Sequence, residues 1–582
     1  MLFGLMTRLL AGHKGAVTAI VALQLVQTAG NLLLPTINAA IIDDGIVAGN
    51  TPEIFRLGTV MVLIAAVQAS AAIAAGYFGA VVAMKLGHQL RGEVFTRIQS
   101  LSSQEMAAFG TQSLVTRATN DTQQIQSFAV LVFTMLVAAP VMAAGGVLLA
   151  WQQDMVLSSV VMVIMPILLL IMYLIVRRLV PLYRQGQELL DRTGELFREQ
   201  IIGANVIRAF VRQGHETRRF AKTNSSLTGN NLQSSLLVAG MLPLIMIVVN
   251  LSSVAVVWFG GHRVYDGGMK IGALTAFIAY ILQILLAIMM AMYVFMTAPR
   301  AVACAERLGA VLDARPSVQD HKAPTQETRH GSSLEGGSVT FRNVSFSYPG
   351  AENPVLEDIS FTARPGTTVA IVGSTGSGKS TLLSLVPRFL DATAGTISIG
   401  GRNICSMSLD VLRRTMAVVP QMSHLFSGTI ADNLRVAAPE ATEGQLWEAM
   451  ETAQAAGFVR ALPRGMDTEV GPGGTNLSGG QRQRICIARA LLRRVPVYLF
   501  DDSFSALDFA TEARVRDALE IALEGAVVIV VAERISTAAG AGQILVLDDG
   551  RLAAQGTHLQ LLETSATYRE IAESQLALDD AP

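Results

Sequence analysis

Residues 373–381 read GSTGSGKST, and the spacing G-x-x-x-x-G-K-[ST] is that of a phosphate-binding P-loop. Glycines let successive backbone N–H groups curl around an anion, and the following helix turns its positive end toward it. Gly373, Ser374, Thr375, Gly376, Ser377 and Gly378 form the loop. Lys379 is expected on the β- and γ-phosphates, and Ser380, with Thr381 beside it, is expected to ligate Mg²⁺. The apolar run VYLF ends in Asp501, the expected second oxygen ligand of that Mg²⁺. Asp502 follows immediately, where a carboxylate would activate an attacking water. That task generally falls to a Glu. A third stretch, NLSGGQRQR at 476–484, sets Ser478, Gly479, Gly480 and Gln481 at the start of an Arg-rich helix. This is another anion-binding N-terminus. It has no Lys and cannot act as a P-loop; its plain alternative is a Gly-rich turn before a basic helix.

These groups need a scaffold that brings strand ends together. The P-loop follows the strand TTVAIVG and opens the helix STLLSLV, which is its proper setting. Past residue 337, short β-branched runs (VTFRNVSF, TMAVVP, VPVYLF, AVVIVVA, QILVLDD) alternate with helical stretches. That rhythm predicts a largely parallel sheet flanked by helices. Upstream, residues 301–337 are rich in Pro, Gly, Ser and charge, as linkers are. The expected division is 1–305, 306–337 as linker, and 338–578.

The N-terminal part has a different grammar. Of 582 residues, 51% are hydrophobic and only 15% are charged, against about 25% charged in soluble domains. Six apolar stretches, near 16–42, 57–82, 128–151, 155–176, 235–260 and 271–297, are long enough to span a bilayer, which takes about 20 residues. Their interiors hold no Asp, Glu, Lys or Arg, which argues against an ion or proton relay. They do carry Gln24, Gln27, Asn31, Asn38, Gln68, Asn250 and Gln283, read first as interhelical hydrogen bonders and second as substrate contacts.

The segments after the second and fourth stretches are long, polar and Arg-rich; those between the other spans are short. The positive-inside rule then puts the long segments, both termini and everything past residue 300 in the cytosol. A formal net charge of −1 excludes a nucleic-acid binder driven by a broad basic surface. Cys304, Cys405 and Cys486 are scattered, with no disulfide or metal-ligand spacing.

The order P-loop, Gln421 after a strand, LSGGQ, apolar strand with Asp, then SALD resembles the ATP-binding cassette. With six spans ahead of it, the chain resembles a half-transporter of the ABC exporter superfamily along essentially its whole length. The fold this implies is multidomain: an all-α six-helix transmembrane domain followed by an α/β P-loop nucleotide-binding domain. Tyr348, in FSYPG, looks like the aromatic that stacks on adenine. Gln421, in VVPQ, is similar to the residue near Mg²⁺ and the membrane-domain contact. The segments 109–121 and 198–216 resemble the surroundings of coupling helices that dock on the cassettes. ATP and Mg²⁺ are the implied cofactors. The family also implies a dimer in which each ATP is held by one P-loop and the partner's LSGGQ.

Two positions depart from the family pattern. Its catalytic Glu is replaced by Asp502, and its switch His, usually in A-H-R, is replaced by Glu533 in VVAERIST. Pro472 also stands where a Glu is common, which touches a coupling-helix contact. Asp is about 1.5 Å shorter in reach than Glu, and Glu533 sets an anion beside an anion. The expectation is a site that binds ATP and hydrolyses it slowly, in a chain whose intact signature serves another cassette. That pattern resembles the degenerate-site subunit of bacterial heterodimeric exporters. The expected partners are a homologous half-transporter, the lipid bilayer and a hydrophobic or amphiphilic substrate. The expected location is the bacterial inner membrane, multi-pass, with N- and C-termini cytoplasmic. Import of a lipophilic substrate, or an ATP-binding regulatory or channel-like role, are the alternatives.

Overall fold

The computed structural model describes residues 2–320 and 337–579; residues 321–336 of the expected linker lie outside the described residues. The chain divides into two compact units, 1–99 with 111–314 and 100–110 with 315–582.

Six helical segments of the first unit are long and apolar enough to cross a membrane. The main helices in them are α1 (Lys14–Ala40), α2 (Thr51–Ser100), α3 (Ala138–Gln153), α4 (Met155–Ile202), α5 (Gln213–Tyr265) and α6 (Ile271–Leu312). α2 has 50 residues, about 75 Å at 1.5 Å per residue, against roughly 30 Å of hydrocarbon. The polar segments that read as interruptions are therefore continuations of the spans. Lys85, Arg91 and Arg97 lie inside α2, Arg177 to Arg198 inside α4, and Arg218 to Lys222 inside α5. Arg, Lys, Gln, Glu and Leu sustain a helix after hydrophobicity ends, so a hydropathy boundary is not a helix boundary. The short helix Ala204–Ala209 lies between α4 and α5. Val211, at φ 53°, marks the turn into α5.

Backbone contact holds α1 to α6. A Cβ on Gly272 would sit 2.1 Å from the Ala39 carbonyl oxygen. Asp43 Oδ1 accepts the Gly272 N–H at 2.7 Å, capping the first turn of α6 and meeting its positive end. Four of the seven membrane amides, Gln24, Asn31, Gln68 and Gln283, bond between helices. Gln68 Nε2 donates to Asn31 Oδ1, Gln283 Nε2 donates to the Asn31 carbonyl, and Gln24 donates to the Phe133 carbonyl. In the helical segment 111–153 that ends in α3, fully buried Asp121 accepts two bonds from Arg307 of α6, at 2.7 and 2.6 Å. Removing Arg307 would leave the fully buried Asp121 carboxylate short of its partner, at a cost of about 3–5 kcal/mol, whereas Arg307 itself is half exposed.

The second unit contains the strands β1 (Val339–Phe346), β2 (Leu356–Ala363), β3 (Thr368–Gly373), β4 (Ala394–Ile399), β5 (Arg402–Asn403) and β6 (Met416–Val419). β7 (Gly428–Thr429), β8 (Glu469–Val470), β9 (Val497–Asp501), β10 (Val527–Val531), β11 (Gln543–Asp548) and β12 (Arg551–Gly556) follow. The central sheet runs β12-β11-β3-β10-β9-β6, and β2-β1-β4-β5 form a second, antiparallel sheet. From β11 to β6 every pairing is parallel; only β12 is antiparallel. Strands covered on both faces read as unbroken apolar runs: the middle residues of β3, β9 and β11 are all buried.

Candidate active site

Parallel register brings the chemistry to one edge. Val531 of β10 lies opposite both Asp501 of β9 and Ile371 of β3, and Val419 of β6 lies opposite Phe500. The P-loop, Asp501–Asp502, Ala532–Glu533 and Pro420–Gln421 thus leave the carboxyl ends of adjacent strands. That edge is where open α/β sheets bind ligands.

The loop conformation needs its glycines at two points. Gly376 and Gly378 have φ of 88° and 96°, a region side chains rarely adopt. Gly378 then caps α7 (Lys379–Leu385). Lys379 Nζ donates to the Gly373 and Ser374 carbonyls at 2.9 and 2.8 Å, so its ammonium lies along the inside of the loop. Burial pulls its pKa down, while the carboxylates of Glu533, Asp502 and Asp501 pull it back up. Ser377 Oγ is buried in the loop without a protein partner, as a donor meant for a phosphate oxygen would be. Ser374 and Thr375 stand exposed at the loop tip.

Ser380 Oγ donates to Asp501 Oδ1 at 2.8 Å. A hydroxyl and a carboxylate side by side form a hard oxygen set of the kind Mg²⁺ takes. Burial raises the Asp501 carboxyl above its ordinary range, against the opposing pull of Ser380 and Lys379. Tyr348 is packed edge-on against Phe346, with centroids 4.8 Å apart, and its hydroxyl lies 3.3 Å from Thr381 Oγ1. It remains 40% exposed.

Asp502 is held unusually. Its φ is 43°, its N–H donates to the Val531 carbonyl at 3.2 Å, and the residue is buried. Burial raises its pKa first of all. Glu533 and Asp501 push the same way, while hydrogen bonds from Ser505 and Gln421 oppose them. Gln421 and Glu533 therefore both act on Asp502. A cavity of about 90 Å³, bordered by Asp502, Glu512, Glu533 and Arg534, opens behind it. That is space for a few waters, each occupying about 30 Å³ in the liquid.

The signature residues stand on α8 (Gly479–Leu491). Ser478 caps it: Ser478 Oγ accepts the Gln481 N–H at 3.3 Å, and Gln481 Oε1 accepts the Ser478 N–H at 2.9 Å. Gly480 packs on the SALD loop, where a Cβ would lie 2.9 Å from the Ala506 carbonyl oxygen. Gln483 Oε1 accepts the Ala506 N–H. Signature helix and SALD loop are thus packed and hydrogen-bonded to each other.

Sequence reasoning missed the residues that hold the Glu533 segment. Buried Glu512 of α9 (Phe509–Ala522) pairs with Arg534 at 2.9 Å and bonds the Thr537 hydroxyl. Gln575 of α11 (Ala566–Asp579) reaches the same segment, whose short helix α10 is Ile535–Ala538. No spacing in the sequence marks either, because both act across folded elements.

Comparison with known proteins agrees with the helical unit followed by the sheet-and-helix unit. The ABC transporter transmembrane region matches residues 17–289 and the ABC transporter domain matches residues 356–505. An ABC transporter ATP-binding protein of Mycobacterium tuberculosis is 44% identical over 99% of this chain and 98% of its own length. An ATP-dependent lipid A-core flippase of Chromobacterium violaceum is 32% identical over 85% of this chain and 83% of its own. A bacterial Atm1-family ABC exporter solved with ATP bound superposes with a TM-score of 0.81 at 26% identity, covering 98% of this chain and 99% of that one.

Proposed function

The chain belongs to the ABC transporter family as an exporter-type half-transporter, a multi-pass membrane protein with an ATP-binding domain, and from that premise we propose that its own ATP site is a slow one. It holds nucleotide, and its LSGGQ completes a faster site on a second, homologous half-transporter. The expected transmembrane domain, 1–305, runs on through the rest of α6 to Leu312, so we place the linker after it, up to 337, and the nucleotide-binding domain at 338–578.

One observation supports this reading: Asp502 and Glu533, the residues that would face the terminal phosphate, are both carboxylates, and both act on Lys379. A positioned general base is worth about 10²–10⁴-fold, and about 1 Å of misplacement can cost 10²-fold. Asp502 gives up that reach, and Glu533 supplies no donor. Binding requires neither, although the Glu533 anion weakens it. Lys379, the loop N–H groups, the orphan Ser377 hydroxyl and the positive end of α7 supply the phosphate site. Mg²⁺ would be held by Ser380 and Asp501 with Gln421 beside them, and when bound it would neutralise phosphate charge. Tyr348 would face the adenine. Ser478, Gly479 and Gly480 would meet the nucleotide of the partner cassette.

The cargo is hydrophobic or amphiphilic. The spans offer apolar surface and amides without charge, and a lipid flippase is among the relatives. The Arg-rich helix extensions support cytoplasmic termini in a bacterial inner membrane. Closure of two cassettes around ATP would switch the spans between inward- and outward-facing states. The test is retention. The full-length chain in lipid nanodiscs, loaded with radiolabelled Mg·ATP and stripped of free nucleotide, should hold the label as ATP for minutes. Conversion to ADP within seconds would contradict the slow site.

A further inference from the structure

The C-terminal helix α11 reaches the active site through one side chain. Tyr568 and Ala572 are buried on α11, and Gln575 lies three residues further along the same face, since positions four and three apart stack on one side of a helix. That face packs on the residues around the switch: Ala532, Ile535 and Ala538 share a hydrophobic cluster with Tyr568 and Ala572. The Tyr568 hydroxyl lies 2.7 Å from His558 Nδ1, fixing the start of the helix.

Gln575 then makes two bonds to the switch backbone. Its Nε2 donates to the Glu533 carbonyl at 2.8 Å, and its Oε1 accepts the Ile535 N–H at 2.7 Å. Arg534 between them is extended, at φ −101° and ψ 133°. In an extended residue the preceding carbonyl and the following N–H point to one side, so a single amide can satisfy both as a partner strand would. On the other side, the Arg534 side chain is paired with Glu512 and lies 4.6 Å over the Phe509 ring. The segment is gripped from two helices, and the Glu533 side chain is left exposed between them.

We propose that Gln575 is a positioning residue for the switch: its amide fixes the peptide units flanking Arg534, and through them where the side chain at position 533 points. This rests on the reading of Glu533 as the group beside the terminal phosphate of ATP. A side chain presented by an unclamped loop would meet that phosphate in only a fraction of conformers, so a change of chemistry at 533 would register weakly without the clamp.

The test is a double-mutant cycle on Mg·ATP affinity, read by displacement of a fluorescent ATP analogue from the full-length chain in nanodiscs. Glu533→His replaces an anion with a donor and should tighten binding about 10-fold, the worth of one hydrogen bond to a charged group. In the Gln575→Ala background the same change should give less than about 3-fold. Gln575→Glu keeps the acceptor for Ile535 and loses the donor, so it should give an intermediate gain. Amide exchange of residues 533–537 should accelerate in Gln575→Ala while β3 and β9 keep their protection. Equal tightening in both backgrounds would overturn the positioning role and leave the reading of Glu533 standing. No tightening in either would overturn both. Loss of protection throughout the domain in Gln575→Ala would reduce Gln575 to a packing residue and also overturn the role.

Discussion

At the scale of single residues, the active site is a contest between burial and charge. Asp502 sits in a left-handed conformation, buried, with two further carboxylates acting on it. Its folded pKa is raised, so the folded state binds the proton more tightly than the unfolded chain does. The contribution of this one group to stability without nucleotide is then fully present below the unfolded pKa, about 3.9, and is lost as pH rises through the raised value. Asp502→Asn removes that penalty. The melting temperature of the nucleotide-free protein should rise at pH 7 and be unchanged near about pH 3.5. Lys379→Ala makes the opposite point: losing the only side-chain cation of the P-loop should weaken Mg·ATP binding by at least about 10-fold, measured by analogue displacement. The sequence already named Lys379, Ser380, Asp501 and Asp502, because a P-loop and a strand-end Asp are local patterns. It could not show that Gln421 and Glu533 both act on Asp502. That follows from the register of β6, β9 and β10, which is a property of the sheet.

Elements decide how those residues are presented. The N-terminus of α8 is closed by the Ser478–Gln481 capping pair and rests on the SALD loop through Gly480. Ser478→Ala should cost about 1 kcal/mol of stability while leaving ATP binding by this chain's own site intact. If the hydroxyl serves the opposite nucleotide as proposed, hydrolysis by an assembled pair of half-transporters should fall at least about 10-fold. Gly480→Ala drives a methyl into the Ala506 carbonyl and should cost about 1–3 kcal/mol by thermal unfolding. The strands were legible as β-branched runs, and the six spans as apolar ones. The reach of α2, α4 and α5 was not, since hydropathy falls at the membrane surface while helix propensity does not. The clamp by Gln575 was equally hidden, because nothing in α11 by itself distinguishes it from any amphipathic helix.

For the molecule as a whole, an intact signature beside two carboxylates at the hydrolytic positions makes sense when the chain is one of two unlike halves. The partner would bring a Glu and a His to its own nucleotide, and this chain would bring Ser478, Gly479 and Gly480 to that same site while keeping its own ATP as a clasp. Steady-state ATP hydrolysis tests this most directly. It should be measured for the purified chain, with and without Asp502→Glu plus Glu533→His, and for each together with a half-transporter that carries the Glu and the His. The account predicts a nearly silent chain, an active pair, and a gain of about 10²-fold or more in the chain when both positions are restored. Brisk turnover by the unaltered chain alone, matching that of the restored variant, would contradict it.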